Sequence, residues 1–113
     1  MKNEGRKLLF IVKDFKSLAE IKESFDIVLA ATSLEFDVSL LFMGDGVFQL
    51  ICPEKSDLSA LITALPLYDI QKIYAAQESL DQRRLKPQDL MLSTICLLPN
   101  EIAKLLMDHD VVF

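Results

Sequence analysis

Short apolar runs alternate along this chain with segments whose apolar residues recur at helical spacing, and that alternation constrains the fold more than anything else. Lys7-Leu8-Leu9-Phe10-Ile11-Val12-Lys13 is a continuous apolar run bracketed by lysines, the pattern of a strand buried on both faces. Ser17 follows, with Glu20 three residues later, a capping-box spacing that predicts a helix start. Leu18, Ile21, Phe25, Val28 and Leu29 then keep the three-to-four spacing of one helical face. Val38 to Met43 reads as a second strand, Ile70 to Ala75 as a third, Leu90 to Leu98 as a fourth and Val111-Val112-Phe113 as a short fifth. Strand and helix in strict alternation predict an α/β fold, a three-layer α/β/α sandwich on a mostly parallel five-stranded sheet. A length of 113 residues holds one such domain, spanning 1–113.

The connections carry the detail. Gly44-Asp45-Gly46 after the second strand predicts a tight exit where φ turns positive. Val47 to Ile51 is too apolar for an exposed loop and fits either a short helix or an apolar strip against the sheet edge. Pro53 to Lys55 is a surface break, and Ser56-Asp57 caps a second helix that runs to about Leu65, with Pro66 stopping it. Leu58, Leu61, Ile62 and Leu65 form one face of that helix, while Ala60, Ala64, Leu67 and Tyr68 add apolar surface on another side. Such a helix either meets a neighbouring subunit or is buried deep in its own domain. Ala76 to Arg84 reads as a short polar helix, and Pro99-Asn100-Glu101 opens a last one whose Ile102, Leu105 and Leu106 point inward.

Composition removes several function classes. The chain is 51% apolar, yet no run reaches the roughly 20 residues of a membrane span. The charged start, Met1 to Lys7, has no small-residue cleavage site, so a cytoplasmic protein without a membrane partner is expected. A net charge of −5 repels phosphate backbones, so no direct nucleic-acid partner is expected. The local basic cluster of Arg83, Arg84 and Lys86 reads as a solvated helix end. Two cysteines make no disulfide framework.

Little in the chain supports catalysis. There is no phosphate loop and no glycine fingerprint after the first strand, and a lone Gly-x-Gly at residues 44–46 is a turn signal, so no cofactor is implied. His109 stands between Asp108 and Asp110, whose side chains alternate on an extended segment and do not converge on a metal; it reads as a solvent-facing loop residue. With no other histidine to serve as base, a serine triad fails as well. Cys96 lies in the middle of an apolar strand, where a thiol is inert packing. Cys52, beside Pro53 and near Lys55, is the one candidate nucleophile, although Glu54 and Asp57 oppose its thiolate.

Laid out in order, the segments resemble a family. Gly44-Asp45-Gly46-Val47-Phe48-Gln49-Leu50 is similar to the strand-exit signature of the TusC/DsrF branch of the DsrE-like family. Leu67-Tyr68-Asp69-Ile70, the stretch from Ala75-Ala76 to Ser79-Leu80 with Arg84-Leu85, and the ending Asp110-Val111 with Phe113 resemble the same branch. The likeness runs from Leu8 to Phe113, with one departure: Asp14-Phe15-Lys16-Ser17 replaces a Pro/Gly-containing loop after the first strand. The resemblance implies a subunit of a hetero-oligomeric sulfur relay, beside DsrE-like (TusD-like) and DsrH-like (TusB-like) partners. In the Tus version persulfide sulfur travels toward 2-thiolation of tRNA wobble uridine; in the Dsr version it belongs to sulfur oxidation. The carrier subunit of such a relay keeps its cysteine at the end of the third strand, where this chain has Ile73-Tyr74-Ala75-Ala76. The expectation is therefore a non-catalytic structural subunit, with Gly44, Asp45, Gly46, Phe48, Gln49, Leu61, Tyr68 and Tyr74 as signature residues and possible partner contacts. A thiol-based carrier or homo-oligomeric sulfurtransferase using Cys52 is the rival. A small flavodoxin-like ligand binder is a third reading, weakened by strand exits poor in glycine and hydroxyl groups.

Overall fold

The computed structural model describes residues 5–15, 17–51, 56–70 and 72–113. Five parallel strands, β1 (Lys7–Val12), β2 (Asp37–Phe42), β3 (Lys72–Ala76), β4 (Ile95–Leu97) and β5 (Val111–Val112), form one sheet in the order β4-β3-β2-β1-β5. Between them run α1 (Leu18–Ser33), α2 (Asp57–Thr63), α3 (Gln77–Gln82) and α4 (Pro99–Met107).

Right-handed crossovers place these helices. From β1 to β4 the chain steps in one direction, so α1, α2 and α3 share a face; the return to β5 puts α4 on the other. Packing agrees with that division. Ile21, Phe25 and Val28 of α1, Leu58 and Ile62 of α2, and Leu80 of α3 cluster with Leu8, Val38, Leu40, Phe42, Ile73 and Ala75 of the sheet. Leu9, Leu41, Ala76 and Leu97, which alternate with them along the strands, are buried outside that cluster. Phe42, Leu9, Leu40 and Leu41 lie wholly within the protein, which is why the central strands read as unbroken apolar runs.

The caps hold as their residue types dictate. The Ser17 side chain accepts from the Glu20 N–H, and Ser56 and Ser59 exchange reciprocal side-chain bonds with each other's backbone N–H at 3.0 Å. Several boundaries differ from the sequence reading. Pro66 does not stop α2; it sits inside a 3-10 turn, Leu65–Tyr68, where its fixed φ and missing N–H cost nothing at a helix start. The third strand begins later, at Lys72, although Ile70 is fully buried. The fourth strand shrinks to Ile95–Leu97 because Leu90, Met91 and Leu92 pack against the core as irregular chain, with the Met91 N–H bonded to the Leu50 carbonyl at 2.8 Å. Helix α4 has no fully buried residue: Ile102 and Leu105 are half-buried and Leu106 is exposed. Among the described residues only α4 covers that side of the sheet, so its inward-spaced residues find little to pack against.

Candidate functional site

Ligands of parallel α/β sheets sit at the carboxyl ends of the strands. Here that edge is built around the exit of β2. Gly44 takes φ +55 to leave the strand, and a 3-10 helix, Gly44–Ile51, follows at once, resolving the ambiguity of the apolar strip after the glycines. The Gly46 N–H donates to the Lys13 and Met43 carbonyls, both at 3.0 Å, drawing the segment onto the end of β1. Approach there is so close that a Cβ on Gly46 would stand 2.6 Å from the Val12 carbonyl carbon. Val47 and Leu50 are wholly buried beneath this helix.

A polar clamp joins the β2 exit to α3. The Gly44 N–H donates to Ser79 Oγ at 2.9 Å. Arg83 reaches Asp45 Oδ1 through Nη2 at 3.0 Å and Nε at 3.3 Å, donates from Nη1 to the Ser79 carbonyl at 3.1 Å, and lies 5.8 Å from the centre of the Phe48 ring. Arg83 is thus neutralised within the fold, while Arg84 and Lys86 face solvent.

At the end of β3 the chain presents Ala75 and Ala76, 0% and 3% exposed, before α3 begins at Gln77. Cys96 pairs in register with Ala75 on the neighbouring strand, half-buried against the core rather than enclosed mid-strand, because β4 is an edge. Cys52 lies outside the described residues.

A second feature occupies the same edge, between β1 and β5. The chain turns one way from β1 to β2 and comes back the other way to β5, so this is the point where connections diverge and a crevice opens. A cavity of about 300 Å³ lies there, its walls including Phe10, Lys13, Ile21, Phe25, Gln49 and Phe113. The rings of Phe10 and Phe113 stack with centroids 4.7 Å apart, and Phe113 is tied to β1 through Leu9 and Ile11 backbone bonds of 2.8 and 3.1 Å. Gln49 is only 3% exposed. Its Nε2 donates to the Asp14 carbonyl at 2.7 Å, which fixes the amide's orientation, and its Oε1 is buried with no hydrogen-bond partner. An acceptor left in that state costs about 1–3 kcal/mol.

The remaining signature residues scatter. Gly46 and Gln49 are interior, Phe48 and Leu61 half-buried, and Tyr74 half-buried on the α4 side of the sheet. Tyr68 is exposed and stands beside Leu67, which is 85% exposed, so the second apolar side of the α2 region faces outward rather than into the domain. His109 is half-buried, not solvent-facing, with Nδ1 2.7 Å from the Leu105 carbonyl. Both flanking carboxylates are taken up by Lys7: Asp108 pairs with its ammonium at 3.0 Å, and Asp110 accepts its backbone N–H at 2.7 Å. That pairing holds the Asp108 carboxyl below the usual range and raises Lys7, through a hydrogen bond first and charge second. No cluster of three or more metal-binding side chains occurs among the described residues, and none of their helices is long and apolar enough to cross a membrane. The crevice at β1/β5 escaped the sequence reading because its walls come from opposite ends of the chain.

Comparison with known proteins places this geometry. Residues 6–113 match the DsrE/DsrF-like family. A TusC homologue of Vibrio vulnificus is 35% identical over 77 residues, 63% of this chain and 65% of that protein's length, so the match spans slightly less than two thirds of that relative. TusC of Klebsiella pneumoniae is 32% identical over 98 residues, covering 80% of this chain and 82% of its own length. Among solved structures, the ychN protein of E. coli superposes with a TM-score of 0.78 at 16% identity over 96% of this chain and 97% of its own, a likeness of fold. The protein MTH1491 of Methanobacterium thermoautotrophicum gives 0.66 at 15% identity over 94% of this chain and 96% of its own. Sequence match and fold agree: the chain belongs to the DsrE/DsrF-like family, as a TusC/DsrF-like member.

Proposed function

We propose that this chain is a non-catalytic structural subunit of a cytoplasmic sulfur-relay hetero-oligomer, docking beside TusD-like and TusB-like partners and supporting persulfide transfer toward tRNA 2-thiouridine. The observation that carries the reading is the end of β3. A carrier needs a partly exposed, activated sulfur there, and this chain places two buried methyl groups, Ala75 and Ala76. Around them the exit is closed by the Gly44–Ser79 bond and the Asp45–Arg83 pair, which use the local polar groups for structure. Family membership supports the same role, and the outward-facing Leu67 and Tyr68 supply an apolar patch suited to a partner subunit. The test is to co-purify the chain with TusD-like and TusB-like subunits and measure mass by light scattering. A stoichiometric complex is expected; a monomer indifferent to every partner refutes the proposal.

A further inference from the structure

The crevice between β1 and β5, whose walls do not include the outward-facing Leu67 and Tyr68, is built as a binding site. It is largely apolar, as small-molecule pockets are, with Ile21 and Phe25 of α1 on one side and the stacked Phe10 and Phe113 on another. One polar demand is set inside it. Gln49 is buried, its amide nitrogen is committed to Asp14, and its oxygen awaits a donor. The charges along the walls argue against an anion: Lys13 is opposed by Asp14 and by Glu20, which sits in the first turn of α1, where an anion would otherwise be drawn. A volume of about 300 Å³ lies at the small end of ligand pockets. Aromatic walls favour a flat occupant, which stacks with offset rings and loses little conformational freedom.

We propose that this cavity binds a small, uncharged planar heterocycle bearing one N–H donor, the N–H directed to Gln49 Oε1 and the ring held among Phe10, Phe25 and Phe113. Such a ligand satisfies a buried acceptor that the fold leaves unpaired and fills an apolar recess at the strand edge where parallel sheets bind their ligands.

Indole and indene make the decisive probe pair, since they share a shape and differ in the N–H. Each is titrated into the full-length ¹⁵N-labelled chain, following the Gln49 side-chain amide and the Phe113 backbone resonance. Indole is expected to shift both saturably and to bind about five- to tenfold more tightly than indene. Gln49→Met, checked for folding by circular dichroism, is expected to make the two probes equal. Equal affinities on the unaltered protein overturn the proposal without any variant being needed. Absence of saturable shifts with both probes, or shifts confined to residues outside the cavity, overturns it too.

Discussion

Replacing Gly46 with alanine tests how the signature turn is held. The new Cβ would lie 2.6 Å from the Val12 carbonyl carbon and 3.1 Å from the Lys13 nitrogen. Ordinary carbon–carbon contact lies near 3.5–4.0 Å, and both neighbours are backbone, so no flexible side chain can swing aside. Retreat of β1 is blocked as well. The Val12 carbonyl accepts from Met43 N–H at 3.0 Å, and the Lys13 carbonyl accepts from Gly46 N–H at 3.0 Å. Separating the segments strains or breaks two bonds of about 1 kcal/mol each, beside an overpacking cost of about 1–3 kcal/mol. The total is about 3–5 kcal/mol. Gly44→Ala serves as the comparison, because Gly44 needs its positive φ but meets only the Lys13 carbonyl oxygen at 3.3 Å. An L-residue held left-handed costs about 1–2 kcal/mol, so Gly44→Ala is the milder change. Urea unfolding followed by circular dichroism reads both; with a slope of roughly 1.5 kcal/mol per molar, Gly46→Ala shifts the midpoint by about 2–3 M. If Gly46→Ala costs no more than Gly44→Ala, the close approach of the turn to β1 does not constrain this fold.

Other expectations rest on single interactions. Ser79→Ala leaves the Gly44 N–H without its acceptor and is expected to cost about 1–2 kcal/mol in the same unfolding assay. Leu67→Asp with Tyr68→Glu, both at exposed positions, is expected to leave stability within about 0.5 kcal/mol while abolishing co-purification with partner subunits. The Lys7–Asp108 pair predicts pH dependence of opposite sign at the two ends of the scale. Asp108, lowered in the folded state, stabilises above the carboxylate's unfolded pKa and loses that contribution as pH falls through its folded value. Lys7, raised in the folded state, stabilises below its unfolded pKa and loses that contribution as pH climbs through its folded value. In thermal melts Asp108→Asn is expected to flatten both limbs, an effect reduced by salt because the pair is solvent-exposed.

The layers of the sandwich were legible because their signals are local. Lysines bracket β1, Ser17 caps α1, Ser56 caps α2, and apolar spacing names the buried side of α1 down to Ile21, Phe25 and Val28. Elements shaped by distant contacts were not. Leu90 to Leu92 are apolar because they pack beside Leu50, and no local pattern separates that from a strand. Helix α4 keeps an inward spacing that its thinly covered side of the sheet leaves half-exposed. At the candidate site, the absence of a thiol at the end of β3 could be read from Ala75 and Ala76, whereas the stacking of Phe113 on Phe10 exists only once the chain's two ends meet, and the unpaired Gln49 oxygen only once the β2 exit packs on the end of β1 at Asp14.

The proposal that this chain docks as a subunit without handling the sulfur itself is tested most directly by removing its thiols. The reconstituted assembly, built with the Cys52→Ser, Cys96→Ala chain, is assayed for persulfide delivery to the downstream acceptor alongside the unaltered assembly. Undiminished transfer is the predicted result. Transfer lost in an intact complex and restored by returning Cys52 alone would contradict the account and make this chain a carrier.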